Sequence, residues 1–154
     1  MTPDRKKAEK VVLGWREWAS LPELGIERIQ VKMDTGARTS ALHVEAFELV
    51  PGKRGRARIW IPAGNGQGTV QAEVDVAGYS VVKTSAGDRE KRPRVVTLIL
   101  IGRLRRRIEV TLSRREGMVH RMIVGRRALK GRAVVDPGRT FLATQRSPST
   151  GAGA

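Results

Sequence analysis

At 154 residues and a formal charge of +15, the chain is the size of one domain, and its 40% hydrophobic content supports a modest core. It holds no cysteine, which excludes a disulfide scaffold, a thiol nucleophile and a thiolate metal site and agrees with a cytoplasmic address. Thirty Lys and Arg against fifteen Asp and Glu point to polyanionic partners, nucleic acid or acidic peptide, while an aromatic content of 4% leaves few stacking platforms for single-stranded nucleic acid.

Residues 1 to 10 are polar and lack the apolar core of a signal peptide, so a flexible N-terminus is expected ahead of a domain covering residues 11 to 143. Trp15 and Trp18 read as core or dimer packing, as does Trp60; Arg16 and Glu17 between the first two read as a surface ion pair or, alternatively, as residues lining the cleft. Residues 26 to 33, 57 to 61 and 70 to 76 are short segments rich in Val and Ile that alternate apolar with polar residues, as half-buried strands do. Between the first two lies a basic loop from Pro51 to Arg58. Val95 to Ile101 is the longest apolar run, far below the roughly 20 residues of a membrane helix. A charged turn follows, in which Arg105 to Arg107 are expected to sit in water, and Ile108 to Leu112 returns as the second arm of a hairpin.

Val119 to Val124, with Met118 and Met122, reads as a strand feeding Gly125, with His120 facing solvent or a neighbour. Arg126 to Lys130 is the best helical segment, about one and a half turns, capped by Gly131. Residues 144 to 154 are small and breaker residues, expected to form a disordered tail. The fold class is therefore all-β, a small barrel or sandwich.

Chemistry concentrates at Lys32-Met-Asp-Thr-Gly-Ala-Arg-Thr-Ser40. A strand pattern ends on Asp34, and Gly36 permits the tight turn that presents the carboxylate. Alone, Asp-Thr-Gly is an ordinary turn. A second element, Met122-Ile-Val-Gly-Arg-Arg-Ala-Leu129, makes the pair specific: an apolar strand ends in Gly-Arg and runs into a short helix.

Together these elements resemble the retropepsin-like aspartic proteases. With Gly14 to Gly25, Val110 to Arg115 and Val134-Val-Asp-Pro-Gly138, they resemble more narrowly the bacterial family often labelled ATP-dependent zinc proteases, over roughly residues 11 to 142. The resemblance implies a small closed β-barrel with a flap hairpin and one short helix. It also implies a peptidase associated with ATP-grasp glutamate ligases, which add glutamate tails to a ribosomal protein. The zinc and ATP of the family label find no support in the residues. There is no His-Glu-x-x-His pair, no Gly-rich loop ending in Lys-Ser/Thr, and only His43 and His120, on separate segments, so no cofactor or metal is expected.

In that family Asp34 would be the catalytic carboxylate. Thr35 would brace the loop through its hydroxyl, Gly36 would let backbone approach the substrate, and Ala37 would keep the turn narrow. Ala37, Arg38, Thr39 and Arg126 would line the substrate cleft, with Lys83 and Thr84 from a flap hairpin spanning Gly78 to Arg92. Two carboxylates must share a proton, and one Asp-Thr-Gly supplies half of the pair. The other half is Asp34 of a second copy in a homodimer or, alternatively, Asp136 of the same chain. Where retroviral enzymes follow Ala with two aspartates, this chain has Arg38-Thr39, so Arg126 needs another partner: Glu45, an N-terminal carboxylate, or solvent. A guanidinium at position 38 favours an acidic, glutamate-rich peptide. The non-enzymatic alternative is a basic adaptor gripping RNA phosphates through residues 53 to 58 and 103 to 107.

Overall fold

A computed structural model describes residues 9–64, 66–114, 117 and 119–144; the two expected termini and Met118 lie outside these residues, apart from Glu9, Lys10 and Thr144. Strands β1 (Val11–Leu21) and β2 (Ile26–Asp34) form an antiparallel pair across a 3-10 turn at Pro22–Leu24. Gly25 closes that turn with φ 74°, a left-handed conformation that favours glycine. From residue 28 onward the alternation seen in the sequence is realised on β2: Ile29, Val31 and Met33 are buried, while Arg28 and Gln30 are half-buried and Lys32 faces solvent.

The chain continues through β3 (Ser40–His43), β4 (Ala46–Leu49), β5 (Arg56–Pro62), β6 (Thr69–Asp75), β7 (Gly78–Lys83), β8 (Arg89–Ile101), β9 (Leu104–Ser113) and β10 (Met122–Gly125). Helix α1 (Arg126–Leu129) and β11 (Ala133–Thr140) complete it. One sheet runs β11-β1-β2-β10-β3-β9-β8-β7, and pairing of Ser20 with Leu100 joins β1 to β8, closing a six-stranded barrel. A separate three-stranded sheet, β4-β5-β6, contributes Ala57, Ile59 and Ile61 to the same buried cluster as Leu13, Leu42, Ile99, Leu112 and Met122. Burying each such Leu or Ile stabilises the fold by roughly 1.5–3 kcal/mol. No helix among the described residues is long and apolar enough to cross a membrane.

Two features of the hairpin after Val95 differ from expectation. The turn is confined to Gly102 and Arg103, because β9 begins at Leu104, and the three arginines have separate fates. Arg105 and Arg107 are exposed as expected, Arg107 in a surface pair with Glu23 at 2.8 Å, but Arg106 is half-buried, donating to the carbonyls of Ala128 and Lys130 at 3.2 and 2.8 Å. These carbonyls at the end of α1 have no helical donors, so a nearby guanidinium is drawn out of water to satisfy them.

Glu17 is the larger departure. It makes no surface ion pair: the side chain is fully buried, and its two oxygens accept from the backbone N–H of Gly14, Leu142, Ala143 and Thr144 and from the Thr144 hydroxyl. A buried carboxylate is tolerated where its lone pairs meet donors in this number. The segment following β11 is thereby fastened to β1.

Candidate active site

β10 lies between β2 and β3, parallel to the first and antiparallel to the second. The chain leaving β2 at Asp34 must therefore loop over the end of β10 to return as β3. Gly125, opposite Asp34 in register, sits under that loop, and a Cβ there would overlap the Thr39 carbonyl. The buried N–H of Gly125 donates to the Ser40 hydroxyl at 3.0 Å. Arg126 N and Arg127 N donate to the carbonyls of Ala37 and Arg38 at 2.8 and 3.2 Å, so the first residues of α1 fasten the loop from below.

Asp34 is half-buried at the end of β2. Its Oδ1 accepts from the N–H of Gly36 and Ala37 at 3.1 and 3.2 Å, while Oδ2 accepts no hydrogen bond among the described residues. One oxygen thus fixes the carboxylate, and the other is left to hold a proton or a water. A Cβ on Gly36 would lie 3.3 Å from Oδ1, tighter than an ordinary contact, so glycine keeps this geometry unstrained.

Arg126 donates from Nη1 to the carbonyls of Gly36 and Thr35 at 3.2 and 3.4 Å. These carbonyls, rather than Glu45, are its partners; Glu45 instead accepts from Thr69. Within the chain the loop is braced through the Thr35 carbonyl, and the Thr35 hydroxyl makes no hydrogen bond among the described residues. Thr35, Arg38, Arg126, Arg127, Leu129, Lys130 and Ala133 line a groove of about 530 Å³ whose charged side chains are all cationic. Thr39 lines a neighbouring one of about 260 Å³, with Arg106, Arg107 and Arg127.

The hairpin of β7 and β8 carries Lys83 opposite Arg89, with its tip closed by Thr84 N to Asp88 O at 2.8 Å and Gly87 N to Thr84 O at 2.9 Å. Among the described residues no hydrogen bond or ion pair joins this tip to the Asp34 loop. Asp136 stands opposite Gly14 on β11, and its Oδ1 accepts from Gly138 N at 2.9 Å, turning the carboxylate onto the backbone of its own strand. Asp34 therefore shares no hydrogen bond with a second described carboxylate. No described group of three His, Cys, Asp or Glu side chains has the makings of a metal site. Ser40 and Glu17 are the supporting residues that sequence reading missed, and neither carries a motif that would have marked it.

Curated relatives include proteins named probable alpha-L-glutamate ligase. That of Parasynechococcus marenigrum is 39% identical over 134 residues, covering 83% of this chain and 28% of the relative, and that of Shewanella pealeana is 33% identical, covering 86% and 30%. The chain thus spans less than a third of the length of these relatives. Among solved structures, the Legionella pneumophila protein Lpg0085, of unknown function, superposes with a TM-score of 0.73 at 28% identity, over 88% of this chain and all of that one. A family profile described as RimB-like, retropepsin-like aspartic endopeptidase RimB, matches residues 12–146. With its closed barrel, its Asp-Thr-Gly loop and its Gly-Arg junction beneath that loop, the chain belongs to the RimB-like family of retropepsin-like aspartic endopeptidases.

Proposed function

We propose that the chain is a peptidase in which Asp34 activates water, acting as a homodimer that pairs two Asp34 carboxylates across a two-fold axis. The observation that carries this reading is the state of Asp34: one oxygen is anchored by two backbone N–H groups and the other is unengaged, on a loop braced by Arg126 and by the first residues of α1. In the paired site the ionised carboxylate takes a proton from water as the oxygen attacks the scissile carbonyl. The protonated carboxylate donates to the carbonyl oxygen, forming a neutral tetrahedral diol. Collapse breaks the C–N bond as a proton passes to the leaving amine, and the dyad returns to its singly protonated state.

Arg38, Arg127 and Lys130 around the groove, the +15 charge and the glutamate-ligase names of the relatives support an acidic, glutamate-rich substrate, such as a glutamate tail on a ribosomal protein, and a working association with such a ligase. Mass spectrometry tests the activity: a glutamate-tailed peptide is incubated with wild-type protein and with Asp34→Ala from acidic to neutral pH. Cleavage by the wild type that is lost in the variant supports the peptidase. Identical products from both proteins, or no cleavage anywhere, overturn it in favour of a basic adaptor.

A further inference from the structure

On β1, the strand paired with β2, the molecule holds a cation in an arrangement that the proposed mechanism does not use. The Arg16 guanidinium lies over the Trp15 ring at 5.0 Å and over the Phe141 ring at 5.5 Å. Its Nε is buried and has no acceptor, and the residue forms no ion pair among the described residues. A guanidinium stacked between two rings has lost most of its rotamer freedom, so its donors are already oriented when an anion arrives.

Much of the surrounding structure serves to create this arrangement. Phe141 is the one non-glycine residue among those described with a positive φ, 54°, a conformation that costs energy for an aromatic residue. It is held there from both sides: its N–H donates to the Arg16 carbonyl at 2.8 Å, and the next three residues are tied to the buried Glu17. The ring also rests on Trp18, with centroids 6.0 Å apart. A strained aromatic, a buried carboxylate clamp and a second aromatic all hold one guanidinium whose Nε has no partner among the described residues.

Register places Arg16 on the same face of the β1-β2 pair as Asp34. Arg16 pairs with Lys32 across β1 and β2, and Asp34 follows two residues along β2, on the same face as Lys32. Positions i and i+2 on a strand are about 7 Å apart, and an extended peptide advances about 3.3 Å per residue. An acceptor bound at Arg16 therefore belongs to a residue about two positions from the bond held at Asp34.

We infer that Arg16, clamped between Trp15 and Phe141 and flanked by Lys32, is a specificity subsite that takes a substrate carboxylate about two residues from the scissile bond. This deepens the peptidase reading and rests on it for the position of the bond. A planar fork matched to the two oxygens of a carboxylate discriminates glutamate from glutamine, which would present an N–H₂ to the donors of Arg16. Arg16 contacts substrate in this account but takes no part in bond cleavage.

The test separates binding from turnover. In full-length protein carrying Asp34→Asn, binding of a tetraglutamate and a tetraglutamine peptide is measured by calorimetry. The glutamate peptide is expected to bind at least tenfold more tightly. Arg16→Met should abolish that preference, and Arg16→Lys, which keeps the charge and loses the fork, should abolish most of it. Arg103→Met, which removes the same charge from an exposed turn, should preserve it. Thermal melts of all variants confirm that they are folded.

Equal affinity for the two peptides, no measurable binding, or equal losses for Arg16→Met and Arg103→Met would overturn the subsite. Failure of the peptidase reading looks different: it appears in the wild-type and Asp34→Ala digests, whereas Arg16-dependent binding persists without turnover. Conversely, cleavage that depends on Asp34 while Arg16→Met keeps its glutamate preference would leave the peptidase standing and remove the subsite.

Discussion

Gly125 and Thr39 meet backbone to backbone, so closely that any Cβ on Gly125 would overlap the Thr39 carbonyl. The contact follows from the topology, because the Asp34 loop must cross the end of β10 to reach β3. Gly125→Ala is therefore expected to push Thr39 and the loop outward at a cost of about 3 kcal/mol, read as a lower urea midpoint at unchanged slope. Ser40→Ala, which leaves the buried Gly125 N–H without an acceptor, should cost about 1–3 kcal/mol and leave the loop in place. A Gly125→Ala protein as stable as the wild type would mean that the loop is not held by this contact.

The fastening of Glu17 gives a second expectation. Replacing it by glutamine keeps the size but turns an N–H₂ toward backbone donors that now meet another donor. The loss should be about 3 kcal/mol, or roughly 10 °C in Tm for a chain of this length. Protease cleavage near Leu142 should accelerate at the same time, since the segment is released from β1. An unchanged Tm would show that the carboxylate is not acting as a clamp.

The alternation on β2 and the Asp34-Thr35-Gly36 stretch were legible because their physics is local: a period of two sets the buried face, and glycine permits the turn. Gly125-Arg126 was legible as a motif, and the structure supplies its reason, a glycine without room for a Cβ followed by a cation bonded to the loop carbonyls. Glu17 was not legible. Its donors at 142 to 144 lie more than a hundred residues away, and all but the Thr144 hydroxyl are backbone N–H groups that carry no side-chain signature. Arg106 misled for a related reason, since the carbonyls that draw it from water belong to a helix distant in sequence. The sandwich of Arg16 likewise depends on the turn at Phe141, which no periodicity reveals.

Two surface pairs set an acid limit on stability. Hydrogen bonds from Arg107 hold the Glu23 carboxyl below the usual carboxylate range, and hydrogen bonds from Arg56 do the same for Glu73. A carboxyl whose folded pKa is depressed stabilises the fold above its unfolded pKa, and that contribution is lost as pH falls through the folded value. Wild type should therefore melt higher than a Glu23→Gln, Glu73→Gln double variant at pH 7, with the gap closing as pH falls below the ordinary carboxylate range. The gap should also shrink in about 1 M salt, because both pairs are solvent-accessible. A gap that is constant from pH 7 to pH 3 would show that these ion pairs do not contribute.

Arg126 invites two readings that kinetics can separate. As a substrate cation it would act on binding, and Arg126→Met would raise KM while leaving kcat nearly intact. Its bonds to the carbonyls of Thr35 and Gly36 place it instead beneath the loop that carries Asp34. These bonds are long and exposed, so their loss should cost under about 1 kcal/mol of stability. Their effect on geometry is greater, because a carboxylate displaced by about 1 Å loses up to about 100-fold in rate. The expected outcome for Arg126→Met is a fall in kcat of about 10- to 100-fold at nearly constant KM and Tm, with Arg126→Lys recovering part of it, since both carbonyls are held by the one nitrogen Nη1 and an ammonium also carries several donors. A rise in KM with unchanged kcat would instead place the guanidinium on the substrate and transfer the bracing of Asp34 to the backbone bonds from Arg126 N and Arg127 N alone.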